Sequence, residues 1–206
     1  MASQHRRTKP KKDQPVFFYK PNERYGIFCQ WYESTFTVLN SEITSLVGTH
    51  IHSDAPDEKT EFNCAEQFMM YCKAARFSDE GRQRRILKVT DPSVQKRIGK
   101  KVDGFDEENW TEVKSQVVEL GSYTKFSQDE QLRSWLLGTR ERELIEASGR
   151  DRVWGIGFMA ATELEINVAL ENREHWGENR LGKALMVART RIREEMARSK
   201  EDDSQS

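Results

Sequence analysis

The sequence has few cysteines and no paired-cysteine motif. Its 206 residues include three cysteines, none of them in a C-x-x-C pair, and an odd number spread in this way does not build a disulfide framework. The pattern therefore argues against a disulfide-stabilised secreted domain and indicates a reducing compartment. Three side chains are predicted to be buried thiols: Cys29, Cys64 and Cys72.

The sequence also lacks long apolar segments and an excess of either charge. No apolar run approaches the roughly 18 residues of a bilayer-spanning helix, and the N-terminal segment lacks the apolar stretch of a secretory signal. The 33 basic residues nearly balance the 34 acidic residues, so net charge gives no reason to expect attraction to nucleic acids or membranes. We expect a soluble intracellular protein without membrane association, in the cytoplasm or, alternatively, in the nucleus.

Common cofactor and metal motifs are absent as well. The sequence has no Walker A loop, no G-x-S-x-G nucleophile elbow and no dinucleotide-binding glycine motif. His50 and His52 stand in a polar stretch without a third ligand at a recognisable spacing, so no metal site is predicted there. We therefore expect a protein that uses neither a metal nor another cofactor.

The length and composition suit one folded domain with short charged tails. Hydrophobic residues make up 36% and charged residues 33% of the chain, which is enough apolar material for one core under a heavily charged surface. Residues 1–15 are predicted to be a disordered basic tail, either a solvated terminus or an arm that contacts nucleic acid. Residues 16–197 are predicted to form the domain, and residues 198–206 a disordered acidic tail.

Helical spacing dominates the pattern of apolar residues. They recur at helical intervals from Trp110 to Leu120 and from Leu181 to Met196. Three shorter runs, VFFYK, FTVLN and VWGIGF, are typical of strands. The predicted fold class is mainly α (α+β): a compact helical domain with a small β-sheet.

The segment NCAEQFMMYCKA, residues 63–74, predicts the start of a helix. Asn63 is the expected N-cap, and Glu66 three residues later can bond back to the backbone N–H of that cap. Lys73 lies seven residues beyond Glu66 on the same helical face, about 10 Å along the axis. A carboxylate and an amine at this separation suit the two ends of a small ligand, and they suit a solvated surface equally well.

The segment DRVWGIGF places an acid before an aromatic residue and two glycines. Asp151 precedes Trp154, Gly155 and Gly157, and glycine allows a ligand to approach the backbone closely. The alternative is a buried strand in which Asp151 caps a turn. Trp110 has a similar alternative, because it belongs to an apolar helical stripe and a tryptophan there is more often part of a core.

The segment WGENRLGKALM precedes and begins an amphipathic helix. The backbone N–H groups at a helix start can hold an anion, and here Asn179, Arg180 and Gly182 surround that start. The alternative is that Asn179 is a simple N-cap with no ligand.

Five blocks taken in order carry a family resemblance: FNCAEQFMMYCKAARF, DGFDEENWTEVK, KFSQDEQLRSWLLGT, LIEASGRDRVWGIGF and WGENRLGKALMVAR. In order and spacing they resemble the NADAR family, the YbiA-like N-glycosidases. The resemblance covers about residues 16 to 196. It implies a compact, mostly helical YbiA-like domain that hydrolyses the N-glycosidic bond between a ribose phosphate and a nitrogenous group.

The resemblance also implies a substrate class and site residues. Members are associated with phosphoribosyl-aminopyrimidine intermediates of riboflavin synthesis and with ADP-ribose attached to nucleic-acid bases. Glu66, Trp110 and Asp151 match the family's acidic, tryptophan and aspartate motif positions and are the catalytic candidates. Lys73 matches a lysine that in some branches engages the opened sugar covalently. Substrate contacts are expected from the indole of Trp110 or Trp154, the adjoining glycines and the helix start at Asn179.

Two departures from the family pattern bear on the substrate. Cys29-Gln30-Trp31 stands where the family often has Ser-Asn before an aromatic residue, and the segment FMAATELEINVALENREHW is an insertion expected to form an extra helix. A non-catalytic module that binds ADP-ribose or a nucleotide is the main alternative function, and an interaction scaffold is a third. The joint presence of Glu66, Trp110 and Asp151 favours the enzyme.

Overall fold

The structure, a computed structural model, describes residues 14–49, 51 and 58–205, the last three by backbone only. The basic segment of residues 1–13 lies outside the described residues, as do His50 and His52. The strands are β1 Val16–Phe18, β2 Phe36–Leu39, β3 Lys59–Phe62 and β4 Leu144–Glu146. The helices are α1 Asn40–Val47, α2 Ala65–Arg76, α3 Glu80–Leu87, α4 Pro92–Gly99, α5 Glu107–Gln128, α6 Glu130–Gly138, α7 Glu163–Glu171 and α8 Arg180–Gln205, with 3₁₀ turns at Gly26–Phe28 and Arg173–His175.

This architecture confirms the predicted fold class, mainly α with little β structure. The strands pair as two separate ribbons rather than one sheet. β1 and β4 are parallel, with Val16 opposite Leu144, and β2 and β3 are antiparallel, with Phe36 opposite Phe62. The parallel pair joins the start of the domain to a strand far along the chain, so its position depends on the helices packed between.

Helix α2 is the centre of the core. Ten of its twelve residues are buried, and only Lys73 and Arg76 are not. Phe68 packs edge-on against Phe62, with ring centroids 5.1 Å apart, and against Phe36 at 6.1 Å. Since α2 is covered by α3, α4 and α5, a polar group at its start is removed from water unless the fold leaves an opening for it. The predicted buried thiols are confirmed, because Cys29, Cys64 and Cys72 are all buried.

Three segments bear on the sequence predictions. The insertion forms α7, as predicted. The apolar run at residues 153–158 was predicted as a strand, but it is a loop whose backbone groups bond to the end of β4 and the start of α8. Helix α8 continues to Gln205, where the sequence predicted a disordered acidic tail; residues 197–205 contain no glycine or proline to end it. Within the described residues, no helix has both the length and the apolar content to cross a membrane.

Candidate active site

The start of α2 is capped by a glutamine, and the predicted capping role of Glu66 is wrong. The N-cap is Cys64, one residue later than expected, and its side chain makes no capping bond. The Oε1 atom of Gln67 accepts a hydrogen bond from the backbone N–H of Asn63 at 2.7 Å. Gln67 therefore does what a capping-box side chain does. Glu66, in the first turn, is left free for another contact.

Glu66 instead turns its carboxyl toward the half-buried indole of Trp31. The side chain is only 5% exposed, and its Oε2 atom accepts a hydrogen bond from Trp31 Nε1 at 3.2 Å. The Oε1 atom is buried and has no partner among the described residues. Burial raises the pKa of this carboxyl, as does the nearby charge of Asp151, whereas Lys96, the Trp31 hydrogen bond and Lys100 lower it. A buried oxygen without a partner is a group poised to receive one from a ligand.

A second carboxyl, that of the half-buried Glu146, interacts electrostatically with Glu66 and was missed by the sequence reasoning. It ends strand β4, and its Oε2 atom is also buried without a partner among the described residues. Burial raises the pKa of Glu146 to about 8; the charges of Asp151 and Glu66 also raise it, and Lys96 lowers it. The signal available in the sequence was an acid inside the apolar run LIEA, five residues before Asp151.

Asp151 has a structural role and also faces the site. Its Oδ1 atom accepts hydrogen bonds from the backbone N–H groups of Val153 at 2.9 Å and Trp154 at 2.8 Å. This is the turn capping that the sequence offered as the alternative. The charge of Asp151 nevertheless acts on both Glu66 and Glu146, so three carboxyls converge.

The glycines of this loop are used for chain packing. A Cβ on Gly155 would lie 2.7 Å from the carbonyl oxygen of Glu146, and Gly157 has a φ of +77°. The close approach predicted for a ligand at Gly155 is therefore made by protein backbone. Trp154 is half-buried against the core.

The start of α8 does not offer the predicted anion site. The backbone N–H of Arg180 donates to the carbonyl of Val153 at 3.1 Å, and that of Asn179 to Gly155 at 3.3 Å. The side chain of Asn179 accepts from the Glu146 N–H and donates to the Leu144 carbonyl, so it holds β4 in place. Gly182 packs against the same Leu144 carbonyl. The backbone N–H groups of Asn179 and Arg180 and the side-chain amide of Asn179 are therefore already bonded to protein, and they hold the loop and β4 against the start of α8.

The guanidinium of Arg180 is engaged as well. Its Nε donates to Glu178 Oε2 at 2.6 Å, and its Nη1 donates to Ser115 Oγ at 3.2 Å. Trp110 is 4% exposed within the main hydrophobic core, which is the structural alternative given for it. The indole that touches the Glu66 carboxyl is that of Trp31, at the position where the sequence departs from the family pattern.

Lys73 lies in a separate, half-buried environment farther along α2. Its Nζ atom is 3.7 Å from the centroid of the Phe105 ring. Burial lowers the pKa of Lys73; Glu107 opposes this, and the nearby charges of Lys100 and Lys114 add to it. A lysine with a lowered pKa has more neutral amine at neutral pH, which a nucleophile needs.

Helix α4 supplies positive charge along the face of α2. Gln95 Nε2 donates to Asn63 Oδ1 at 2.9 Å, and Gly99 lies directly against the Met70 side chain. Met70 stands between Glu66 and Lys73 on α2, so Lys96 and Lys100 flank that face. Lys96 Nζ is 5.9 Å from the Trp31 ring. Within the described part of the chain, no salt bridge involves either lysine.

The arrangement brings acids and cations together. Glu66, Glu146 and Asp151 interact electrostatically with one another, and the charges of Lys96 and Lys100 act on Glu66. Carboxyls of this kind can exchange protons with a substrate, and the lysines can hold an anionic group. Among the described residues, no group of three histidine, cysteine, aspartate or glutamate side chains is arranged to hold a metal ion.

Known proteins share this chain's sequence and fold. The NADAR domain profile matches residues 17–193. The N-glycosidase R617 of Acanthamoeba polyphaga mimivirus is 35% identical over 188 residues, covering 89% of this chain and 96% of that protein. The N-glycosidase YbiA of Escherichia coli is 32% identical over 59% of this chain and 67% of its own length; its NMR structure covers 93% of this chain and 92% of that chain, with a TM-score of 0.64 and 25% identity. A riboflavin biosynthesis protein of Vibrio vulnificus is 24% identical over 88% of this chain and 40% of that protein.

Proposed function

This chain belongs to the NADAR family, and from that membership we propose that it hydrolyses the C–N bond between a ribose phosphate or ADP-ribose and a nitrogenous group. It is an N-glycosidase, a hydrolase whose substrate is a small-molecule glycoside: R617 and YbiA, which it resembles over most of their length, carry that name. The observation that best supports the specific reaction is the buried carboxyl of Glu66, with one oxygen bonded to Trp31 and the other without a partner.

The chemistry of the bond suits this carboxyl. Breaking a ribosyl C–N bond builds positive charge on the sugar, which a nearby carboxylate stabilises. A water molecule bonded to Glu66 Oε1 loses its proton to the carboxylate as its oxygen attacks the anomeric carbon. Asp151 adds a second negative charge near the sugar while its own turn keeps it fixed.

The phosphate of the substrate is assigned to Lys96 on α4 and to Lys100, which directly follows that helix. Lys96 and Lys100 lie one helical turn apart beside the carboxyls and make no salt bridge within the described residues, whereas the donors at the start of α8 are engaged. Lysine binds phosphate as a point charge. The half-exposed ring of Trp154 is the proposed stacking surface for the base.

Two substrate types fit these groups. The Vibrio vulnificus relative is named a riboflavin biosynthesis protein, which supports phosphoribosyl-aminopyrimidines as one. ADP-ribosylated bases are the other, because they present the same ribosyl C–N bond beside a phosphate.

The experiment is incubation of the purified protein with a panel of both glycoside types. Mass spectrometry would follow the release of free base together with ribose phosphate or ADP-ribose. We expect release with one type and its loss in Glu66→Gln. Tight binding of ADP-ribose without release of base from any member of the panel would instead identify a non-catalytic binding module.

The N-terminal segment is proposed to add contact with nucleic acid. Its cations are Arg6, Arg7, Lys9, Lys11 and Lys12, and clustered cations bind the phosphate backbone in a salt-dependent way. Fluorescence anisotropy with single-stranded oligonucleotides should show weaker binding after deletion of residues 1–13, with turnover of a small glycoside unchanged. Equal binding with and without the segment would exclude the contact. We also assign the protein to the cytoplasm, which microscopy of a tagged full-length chain would distinguish from the nucleus.

A further inference from the structure

We propose that Glu146 is the general acid of the reaction and donates its proton to the leaving nitrogen while Glu66 takes a proton from water. The proposal rests on the N-glycosidase function above and adds a catalytic residue to it. Its basis is geometric: each of the two carboxyls has one buried oxygen without a partner among the described residues, Oε1 of Glu66 and Oε2 of Glu146, and the charge of Glu66 acts on Glu146.

Hydrogen bonds at both the N–H and the carbonyl hold the backbone of Glu146 in place. Its N–H donates to Asn179 Oδ1 at 3.0 Å, and its carbonyl accepts from the N–H of Ile156 at 3.0 Å. The next residue continues the parallel pairing, since the Ala147 N–H donates to the Phe18 carbonyl at 2.8 Å. The direction of the Glu146 Cα–Cβ bond is therefore set by the backbone, which limits the region that its carboxyl can reach. This is what a proton donor needs, because proton transfer requires hydrogen-bond contact with the substrate.

The surroundings of the three carboxyls differ in a way that selects Glu146 as the acid. Asp151 accepts two backbone N–H groups that fix its turn. Glu66 accepts the Trp31 N–H, and this bond favours its ionised form. No described side chain donates a hydrogen bond to Glu146. Its charged neighbours are Glu66 on α2, Asp151 on the following loop and Lys96 on α4, and the Cys29 thiol lies near it. Burial raises the pKa of Glu146 to about 8, and the two acids add to this rise while Lys96 opposes it, so Glu146 keeps its proton at neutral pH.

The reaction balances with these two groups alone. The water oxygen bonds to the anomeric carbon as the C–N bond breaks, and the electron pair of that bond stays on the nitrogen. Glu66 takes the water proton and Glu146 gives its proton to the nitrogen, so the products are the free sugar phosphate and the protonated base. After product release, Glu66 gives its proton to solvent water and Glu146 takes one from it, which restores the starting state.

The test is the pH dependence of hydrolysis in the wild type and in Glu146→Gln. Wild-type kcat/KM is expected to fall as the pH rises through about 8, because the acid then loses its proton. Glu146→Gln keeps the shape and has no proton to give. It should therefore be about 100-fold or more slower at neutral pH and lack the alkaline fall. Glu143→Gln is the matched control, because Glu143 is paired with Arg173 at the surface; rate and profile should remain those of the wild type.

A wild-type rate in folded Glu146→Gln, or an alkaline fall that persists in it, would overturn the proposal. Infrared spectroscopy gives a readout that needs no turnover: a protonated carboxyl band that the wild type shows at pH 7, that falls as the pH rises through about 8, and that Glu146→Gln lacks. Absence of that band would also overturn it. Failure of the wild type to release base from any glycoside would instead refute the proposed function.

Discussion

Glu66 and Gln67 are adjacent in sequence but have different roles: Glu66 acts in catalysis and Gln67 stabilises the fold. Substituting Glu66 should therefore lower activity without lowering stability, and substituting Gln67 should do the reverse. Glu66→Gln keeps an oxygen that can accept the Trp31 N–H and removes the carboxylate. We expect hydrolysis to fall by about 100-fold or more, the usual effect of losing a general base. The fold should not suffer, because Glu66 makes no capping bond.

The raised pKa of Glu66 determines whether Glu66→Gln should melt above or below the wild type at each pH. Burial raises the pKa of Glu66 in the folded protein above its unfolded value. Such a group contributes stability that is present below the unfolded pKa of about 4.3 and is lost as the pH rises through the folded pKa. Glutamine does not titrate. The melting temperature of Glu66→Gln should therefore equal or exceed that of the wild type, with a difference that widens as the pH is raised from 4.

Gln67→Ala should show the opposite pattern. The Gln67 side chain is 3% exposed; it accepts from the Asn63 N–H and donates to the carbonyls of Ile86 at 2.9 Å and Val89 at 3.1 Å. Three hydrogen bonds at about 1 kcal/mol each give a loss of roughly 3 kcal/mol. For a chain of this size that lowers the melting temperature by roughly 6–12 °C, while turnover below the transition should stay within about threefold of the wild type, because the reacting carboxyls remain.

The assay combines differential scanning calorimetry at pH 4, 6 and 8 with initial rates of base release at 25 °C. Wild-type turnover in Glu66→Gln would remove Glu66 from the chemistry. A large loss of melting temperature in Glu66→Gln, or none in Gln67→Ala, would show that the capping duty had been assigned to the wrong residue.

Two further predictions concern the lysines. Lys100→Ala should raise KM for a phosphorylated glycoside about tenfold, because losing one charge contact costs about 1.4 kcal/mol, and it should leave KM for the dephosphorylated analogue unchanged. The control is Lys101→Ala at an exposed position. Equal effects of Lys100→Ala on both glycosides would exclude a phosphate contact. Lys73 should yield no reduced sugar adduct when borohydride is added during turnover, because water attacks the anomeric carbon directly. Burial lowers the pKa of Lys73 and so favours its neutral amine; a Lys73 adduct in peptide mass spectrometry, joined to loss of turnover in Lys73→Ala, would establish the covalent route instead.

The features that sequence predicted correctly depend on local spacing. Helices α5 and α8 follow from apolar residues repeated on one face, and α7 follows from an inserted segment with helical character. The start of α2 was placed one residue early because Asn63 is a far commoner N-cap than Cys64. Because of this one-residue error, the prediction assigned the capping hydrogen bond to Glu66 and not to Gln67, although the helix itself was predicted correctly.

The features that sequence missed depend on contacts between distant residues. Glu146 is half-buried because β4 pairs with β1, more than 120 residues earlier. Trp31 reaches Glu66 across 35 residues. The run at residues 153–158 has the composition of a strand, yet its amides and carbonyls are taken by β4 and α8, so no partner strand is needed. Local pattern contains none of this information.

The two carboxyls differ most in the backbone that carries them. Glu66 stands in the first turn of α2, where the helix dipole stabilises a negative charge, and Trp31 adds a donor. Glu146 ends a short strand, which has no comparable dipole, and its amide and carbonyl are already bonded. Burial raises both pKa values, but the helix start opposes that rise for Glu66 alone. Environments that move the pKa values of two carboxyls apart define one as the acid and the other as the base. The assignment of Glu146 as the acid and Glu66 as the base therefore follows from the secondary structure that carries each side chain.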